Sequence, residues 1–227
     1  MASNIVIEGI ELIRYVQSTF KIKTSEKVVW IDPIMVDNEQ VGVDKADLIL
    51  LTHEHGDHFS VDSINACSKE GTILVCNNSG IIDKIKGNVS ASIEVMKETD
   101  VLESAGVGLK ATAGYNNFHP RNQGHDSFNI GYTFTLGGKV ILHSGDTDLV
   151  DELGDIGQVD IALLPIGGHF TMDETDAAKA VTQLIKPTIA IPMHYGFATA
   201  GDPEKFKDQL AATTTVYILD PVFETNR

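Results

Sequence analysis

Apolar and polar positions alternate along this chain in short runs, and few stretches hold a helical period for long. Residues 5–16, 18–24 and 27–32 place Ile5, Ile7, Ile10, Leu12, Tyr15, Phe20, Ile22, Val28, Trp30 and Ile31 among polar neighbours, which predicts three short strands. The third ends at Asp32-Pro33, because proline cannot continue a hydrogen-bonded ladder. A polar loop is expected over 33–45. The run Ala46-Asp47-Leu48-Ile49-Leu50-Leu51 is short and ends in consecutive branched residues, so it reads as a buried strand. Val61 to Glu70 fits a short amphipathic helix closed by Gly71. Thr72 to Cys76 is a further buried strand, and 79–86 reads as a helix ended by Gly87-Asn88.

Segments 91–96, 100–104, 107–113, 129–136 and 139–143 then alternate between turns, with Gly137-Gly138 joining the last two as a two-residue hairpin. Between them 114–128 forms a long polar loop, and loops of that length inside a domain usually carry function. In the final third, strands at Asp160–Leu164, Thr188–Ile191 and Val216–Leu219 alternate with helices. Thr171-Met172-Asp173-Glu174 reads as a capping box opening a helix that runs to Lys186-Pro187, and Asp202-Pro203-Glu204 caps another. No linker or repeat interrupts the pattern, so residues 1–227 are expected to form one domain, strands first and mixed α and β afterwards.

Chemistry concentrates where the apolar runs end. Directly after the strand at 46–51 comes Thr52-His53-Glu54-His55-Gly56-Asp57-His58-Phe59. In an extended segment His53 and His55 point one way and Glu54 the other. Gly56 permits a sharp turn, after which Asp57 and His58 can face the same space from a second angle. One peptide could thus give two imidazoles to one metal, and a carboxylate plus an imidazole to another. The spacing differs from the helical zincin motif, since no histidine follows at the required position. Other candidates also sit just past apolar runs: His143-Ser144-Gly145-Asp146-Thr147, Gly167-Gly168-His169 and Pro192-Met193-His194-Tyr195. Strand ends at one sheet edge are where α/β folds collect their sites.

Charge and cysteine content narrow the function. A net charge of −15, from 17 Lys and Arg against 32 Asp and Glu, argues against a partner held by its phosphate backbone, so no nucleic acid is expected. No apolar run is long enough to span a membrane, and Met1 to Ile5 lacks the pattern of a signal peptide, so a cytoplasmic location is expected. Cys67 and Cys76 lie in apolar contexts and are expected to be buried free thiols. With no cysteine near the histidines, a metal would be held by imidazole and carboxylate. Gly106-Val107-Gly108-Leu109-Lys110-Ala111 fits a dinucleotide fingerprint only superficially, because a strand-like segment follows it.

The order His-x-His-x-Asp-His, a distant His, Ser-Gly-Asp-Thr and Pro-Met-His-Tyr resembles the metallo-β-lactamase superfamily. Ile31-Asp32-Pro33, the segment Leu163 to Met172, and Pro192-Met193-His194-Tyr195 are similar to its branch of uncharacterised metal-dependent hydrolases. That branch is related to the ascorbate-6-phosphate lactonases and the N-acyl-phosphatidylethanolamine phospholipases D. The resemblance implies an α/β (α+β) fold, a four-layer αββα sandwich with two metal ions at one edge. Carried over, it implies that His53, His55 and His119 hold the first ion, Asp57, His58 and His194 the second, and that Asp146 bridges them. The segment from Gly114 to Pro120 resembles the one that carries the mid-chain ligand, which favours His119, with His125 as the fallback. The family often has a histidine in its first motif. Here that place reads Tyr15-Val16-Gln17-Ser18-Thr19-Phe20, leaving Gln17 to hydrogen-bond near the site.

Two divalent ions facing Asp57 and Asp146 retain a surplus of positive charge, which favours a bridging hydroxide as the nucleophile. The implied activity is hydrolysis of an ester, lactone or phosphodiester of a small molecule, with zinc as the ion and manganese as the alternative. His169 is expected to contact substrate or stabilise an oxyanion, His143 to order a ligand, and Asp32 to stabilise a turn or orient a ligand. Competing readings are a metal-dependent nuclease or phosphodiesterase of the superfamily, disfavoured by the acidic balance, and a non-catalytic scaffold, which would have lost ligands. A diiron oxidoreductase would carry Glu in place of His55 and a flavin domain. The sequence leaves a homo-oligomer open.

Overall fold

Alternation inside the apolar runs decides how the sheets lie. Leu48 and Leu50 belong to a buried cluster shared with Ile130, Tyr132, Ile141 and Leu163, whereas Ile49 and Leu51 belong to another shared with Ile64, Ile81 and Ile85. Successive residues of one strand thus face two different cores, as a strand covered on both sides requires. The computed structural model describes residues 2–77, 80–122, 127–210, 212 and 214–223.

The first sheet contains, in spatial order, β1 (Asn4–Ile7), β2 (Ile10–Arg14), β3 (Phe20–Lys23), β4 (Val28–Ile31), β5 (Leu48–Leu51), β6 (Ile73–Cys76) and β7 (Ser92–Val95). The second holds β8 (Val101–Ser104), β9 (Val107–Gly114), β10 (Asn129–Leu136), β11 (Lys139–His143), β12 (Ile161–Pro165), β13 (Ile189–Met193) and β14 (Thr215–Val216), also in sequence order. Both sheets repeat one topology. Strands β1 to β4 pair antiparallel and β4 to β7 parallel, and likewise β8 to β11 antiparallel and β11 to β14 parallel.

Helices cover the outer faces. Helices α1 (Asn38–Val41), α2 (Val61–Cys67) and α3 (Ile81–Ile85) accompany the first sheet. Helices α4 (Glu174–Lys179) and α5 (Pro203–Leu210) pack on the second, where Ala177, Ala178, Phe206 and Leu210 bury against Leu142, Ala162 and Leu164. Helix, sheet, sheet, helix is the α/β sandwich expected. Cys67 and Cys76 are both free and buried, and burial pushes each thiol up to about 12, so neither forms a thiolate near neutral pH. No helix among the described residues is long and apolar enough to cross a membrane.

Several boundaries differ from the sequence expectation. The strand expected over 5–16 is a hairpin, β1 and β2, because Glu8 and Gly9 both take positive φ (47° and 86°) and set Ile7 opposite Ile10. The loop 33–45 contains α1, whose Asp37 carboxylate accepts from Glu39 N and Gln40 N while the Gln40 side-chain oxygen accepts from Asp37 N. Helix α4 is not opened by a Thr171–Glu174 box. Met172 N is tied to Thr147 O (3.0 Å), so the helix begins later, and Asp173 caps it through Thr175 N and Asp176 N. It continues as a π-helix over Ala180–Ile185 and ends at left-handed Lys186, ahead of Pro187. The last strand is Thr215–Val216 and stops short of the expected 216–219.

Candidate metal centre

The loops after β5, β11 and β13 and the segment between β9 and β10 meet at one edge of the sandwich. The first loop is clamped to the second sheet: Tyr132 Oη donates to Leu51 O (2.8 Å) and Ile130 N donates to Thr52 O (3.2 Å). Inside it, His58 N and Phe59 N both donate to His55 O (2.9 Å each), closing the turn through Gly56 that the sequence anticipated. Glu54 points away, as alternation requires, and pairs with Lys84 at 2.7 Å.

Three sets of donor atoms come together: His53, His55 and His119; His53, His58 and Asp146; and Asp57, His58 and His194. Within each set the atoms lie within 4.8 Å of one another. The structure brings all seven residues together, with Asp146 between His53, His55 and His119 on one side and Asp57, His58 and His194 on the other. His119 Nε2 is 3.1 Å from His55 Nδ1 and 3.7 Å from Asp146 Oδ2. Asp146 Oδ2 also lies 3.9 Å from His53 Nε2 and 2.9 Å from His194 Nε2, and its Oδ1 lies 3.3 Å from His58 Nε2. Asp57 Oδ2 is 3.6 Å from His194 Nε2 and 3.8 Å from His58 Nε2. The fallback ligand His125 lies outside the described residues.

Outer hydrogen bonds fix which face of each imidazole looks inward. Asp32 is fully buried and accepts from Thr52 N (2.8 Å), Thr52 Oγ1 (2.7 Å) and His58 Nδ1 (2.8 Å). Because the Thr52 hydroxyl spends its proton on Asp32, its oxygen accepts from His53 Nδ1 at 3.0 Å. His119 Nδ1 donates to Asn116 Oδ1 (2.9 Å). Thr199 Oγ1 donates to His194 O (2.7 Å) and so accepts from His194 Nδ1 (3.4 Å). These contacts place a proton on Nδ1 of all four rings and turn Nε2 toward the centre, where it can offer a lone pair to a metal or, in metal-free His58 and His194, carry the second proton.

The inward atoms have no partner of their own. With the rings neutral, His53 Nε2, His58 Nε2, His194 Nε2 and Asp146 Oδ1 are buried acceptors that face one another with no donor among them. Buried polar atoms are rarely left so, and a cluster of nitrogen and carboxylate donors in this state fits a divalent cation.

Protonation is divided within the cluster. Burial holds His53 well below its ordinary pKa and His119 at about 4, so both stay neutral near pH 7. Burial works the same way on His58 and His194, but the carboxylate of Asp146 outweighs it, with help from Asp32 at His58 and Asp57 at His194, and raises both. Burial would raise Asp57 and Asp146, yet the adjacent imidazoles of His194 and His58 hold both carboxyls below the ordinary carboxylate range. The metal-free cluster therefore stores protons where a cation would put positive charge.

Asn116 and Asn129 were not foreseen as orienting residues, whereas Gln17 and His143 were expected near the site. Asn116 carries a local signal, since an Asn two and three residues ahead of the N–H groups it caps is an Asx turn: its Oδ1 accepts from Phe118 N and His119 N at 2.8 Å each. Asn129 carries none. It sits on β10, accepts from Asp146 N (3.1 Å) and donates to Gly114 O (3.1 Å), a pairing that only the folded sheet creates. A Cβ at Gly145, which has φ +62°, would collide with the Asn129 amide, so glycine beside Asp146 lets that amide reach the loop. Gln17, where the first-motif histidine is missing, is fully buried: its Nε2 donates to Asp57 Oδ2 (3.0 Å) and its backbone carbonyl accepts from His194 N (3.2 Å). His143 donates from Nε2 to Ser18 O (3.0 Å) and accepts from Gly145 N (3.3 Å), acting on the Asp146 loop through its backbone. His169 is exposed, in a left-handed conformation (φ 55°), and packs on Phe118 and Phe170 at the rim.

A metallo-hydrolase sandwich is the class that these layers and this edge cluster define. The model of the beta-lactamase superfamily domain matches residues 12–194. A UPF0173 metal-dependent hydrolase of Thermoplasma acidophilum is 34% identical, covering 96% of this chain and 98% of that one. One from Thermococcus kodakarensis is 36% identical over 90% of this chain and 93% of its own. The crystal structure of Igni18, a metallo hydrolase from Ignicoccus hospitalis, superposes with a TM-score of 0.77 at 26% identity, covering 93% of this chain and 95% of that one. The chain belongs to the β-lactamase superfamily, among its metal-dependent hydrolases.

Proposed function

We propose that the chain is a dinuclear hydrolase cleaving an ester, lactone or phosphodiester of a small molecule. His53, His55 and His119 would hold one ion, Asp57, His58 and His194 the other, and Asp146 would face both. The observation that carries this reading is the set of buried, unpartnered inward atoms on His53, His58, His194 and Asp146. Imidazole nitrogen and carboxylate oxygen suit zinc, with manganese as the alternative. Divalent ions bound there would supply Lewis acidity, acidifying water and polarising the oxygen of the scissile group. Asp32 and Thr52 hold the rings of His53 and His58 for that purpose, and Gln17 steadies Asp57 and the backbone of His194. Asp57 stays ionised in its neighbours' field and can take a hydrogen bond from a water beside it. His169, at the rim, is placed to meet the part of a substrate that projects outward. The net charge of −15 favours a small-molecule substrate over a polyanion.

Elemental analysis of the purified chain tests the centre. Near two ions per chain is expected, with loss in His119→Ala. Asp57→Ala is expected to abolish hydrolysis while circular dichroism stays native. One ion or none after reloading, or full activity in Asp57→Ala, would sink the dinuclear reading.

A further inference from the structure

A cavity of about 400 Å³ opens onto the ligand cluster. Its floor is made by His55, Asp57, His119, Asp146 and His194, and what remains of its lining is Phe118, Phe170 and Ala198. Among the described residues no lysine or arginine side chain lines it. Two arginines elsewhere are committed: Arg14 is buried, donates to Leu219 O and Tyr195 O and stacks over the Tyr195 ring, and Arg121 pairs with Glu98 and Glu152.

The apolar wall is built in place. Phe118 stands edge to face with Phe170, their centroids 4.9 Å apart at 75°. One side chain fixes both: Asn116 accepts from Phe118 N (2.8 Å) and donates to Phe170 O (2.7 Å). The same amide orients His119. Phe118 is nonetheless 47% exposed, an apolar ring held toward solvent beside a polar cluster. A ring pre-positioned in this way lowers the ordering cost of binding an apolar group.

We propose that Phe118 and Phe170 form the subsite for the alkyl or aryl group of an uncharged carboxylic ester or lactone, so that phosphodiesters are poor substrates. This subsite rests on the hydrolase reading above. A neutral ester directs one carbonyl oxygen to the ligand cluster and leaves only apolar surface for the wall. A phosphodiester brings a standing negative charge spread over two oxygens; ions at the floor would meet one of them, but among the described residues the wall gives the other no cationic side chain, only Phe118, Phe170 and Ala198. In the reaction the oxygen of water bonds to the acyl carbon and the carbon–alkoxy bond breaks. The departing oxygen keeps the electron pair and ends protonated, so one acid and one alcohol result from one ester and one water.

The metal-reloaded full chain is assayed by pH-stat on methyl acetate, methyl hexanoate and hexyl acetate, and separately on bis(p-nitrophenyl) phosphate. A longer chain on either side should raise kcat/KM at least about tenfold, since each fully buried methylene is worth roughly fourfold. Phe118→Ala and Phe170→Ala should draw that ratio toward one. A flat ratio in an active enzyme, or faster cleavage of the phosphate diester, overturns the subsite. Saturation-transfer NMR with benzyl alcohol gives a readout independent of turnover. Transfer in the wild type that is lost in Phe118→Ala supports the subsite even if no ester is cleaved, in which case the hydrolase reading fails by itself. No transfer in the wild type overturns the subsite.

Discussion

Asp32 is not among the expected metal ligands, yet it sets the tautomer of two of them. It offers two oxygens to three donors, Thr52 N, Thr52 Oγ1 and His58 Nδ1. Asp32→Asn keeps the shape and leaves one accepting oxygen, so metal affinity is expected to fall about 10–100-fold. Competition against a fluorescent chelator measures this, and unchanged affinity would show that the relay through Thr52 is idle. The stored protons give a second expectation. His58 and His194 have raised pKa values in the metal-free cluster, so uptake of a cation near pH 7 should release protons and tighten as pH rises. Calorimetry in buffers of different ionisation enthalpy reads the release directly. The sign for the metal-free fold is opposite. The stability these protonated pairs confer is full below the ordinary histidine pKa of about 6.5 and is lost as pH rises through the raised values. At this scale His53, His55, Asp57 and His58 were legible because their spacing is local. Asp32 was expected to orient a ligand or stabilise a turn, but its partners Thr52 and His58 were not, and Asn129 carries no local signal because its partners lie across the fold.

Elements were legible where apolar alternation was long enough to count. β10 and β11 fall where expected, joined by Gly137 and Gly138, both at positive φ. The misses share a physical cause, competition from tertiary contacts. α1 is only four residues long and rests on its Asp37 cap, too short for a periodic signal. α4 starts after Met172 because that backbone is hydrogen-bonded to Thr147, which overrides the Thr171 box. Asp173→Ala should therefore cost about 1 kcal/mol of stability, the usual value of a lost N-cap. Urea denaturation measures it. A cost well under half of that would mean that packing of α4 on the second sheet fixes its start without the cap.

Seen as a whole, the protein keeps its chemistry at the rim and its stability in the cores. A bound ion adds stability by mass action, about 2.7 kcal/mol when free metal stands a hundredfold above its Kd. For a chain of this size that corresponds to a rise in Tm of roughly 5–10 °C. Calorimetric scans with and without a chelator check it, and equal Tm values would mean that the fold does not bind the ion. The repeated topology carries a further consequence. The first half contributes His53, His55, Asp57 and His58, and the second contributes His119, Asp146 and His194. Each half is built to the same plan, and neither owns a complete coordination sphere. On the proposed dinuclear reading, the ions would act as rivets through a seam between two near-equivalent bodies. Stripping them should let the seam breathe before either body melts, with amide exchange quickening at Thr52–Phe59 and Ser144–Thr147 while Leu50 and Ile141 stay protected.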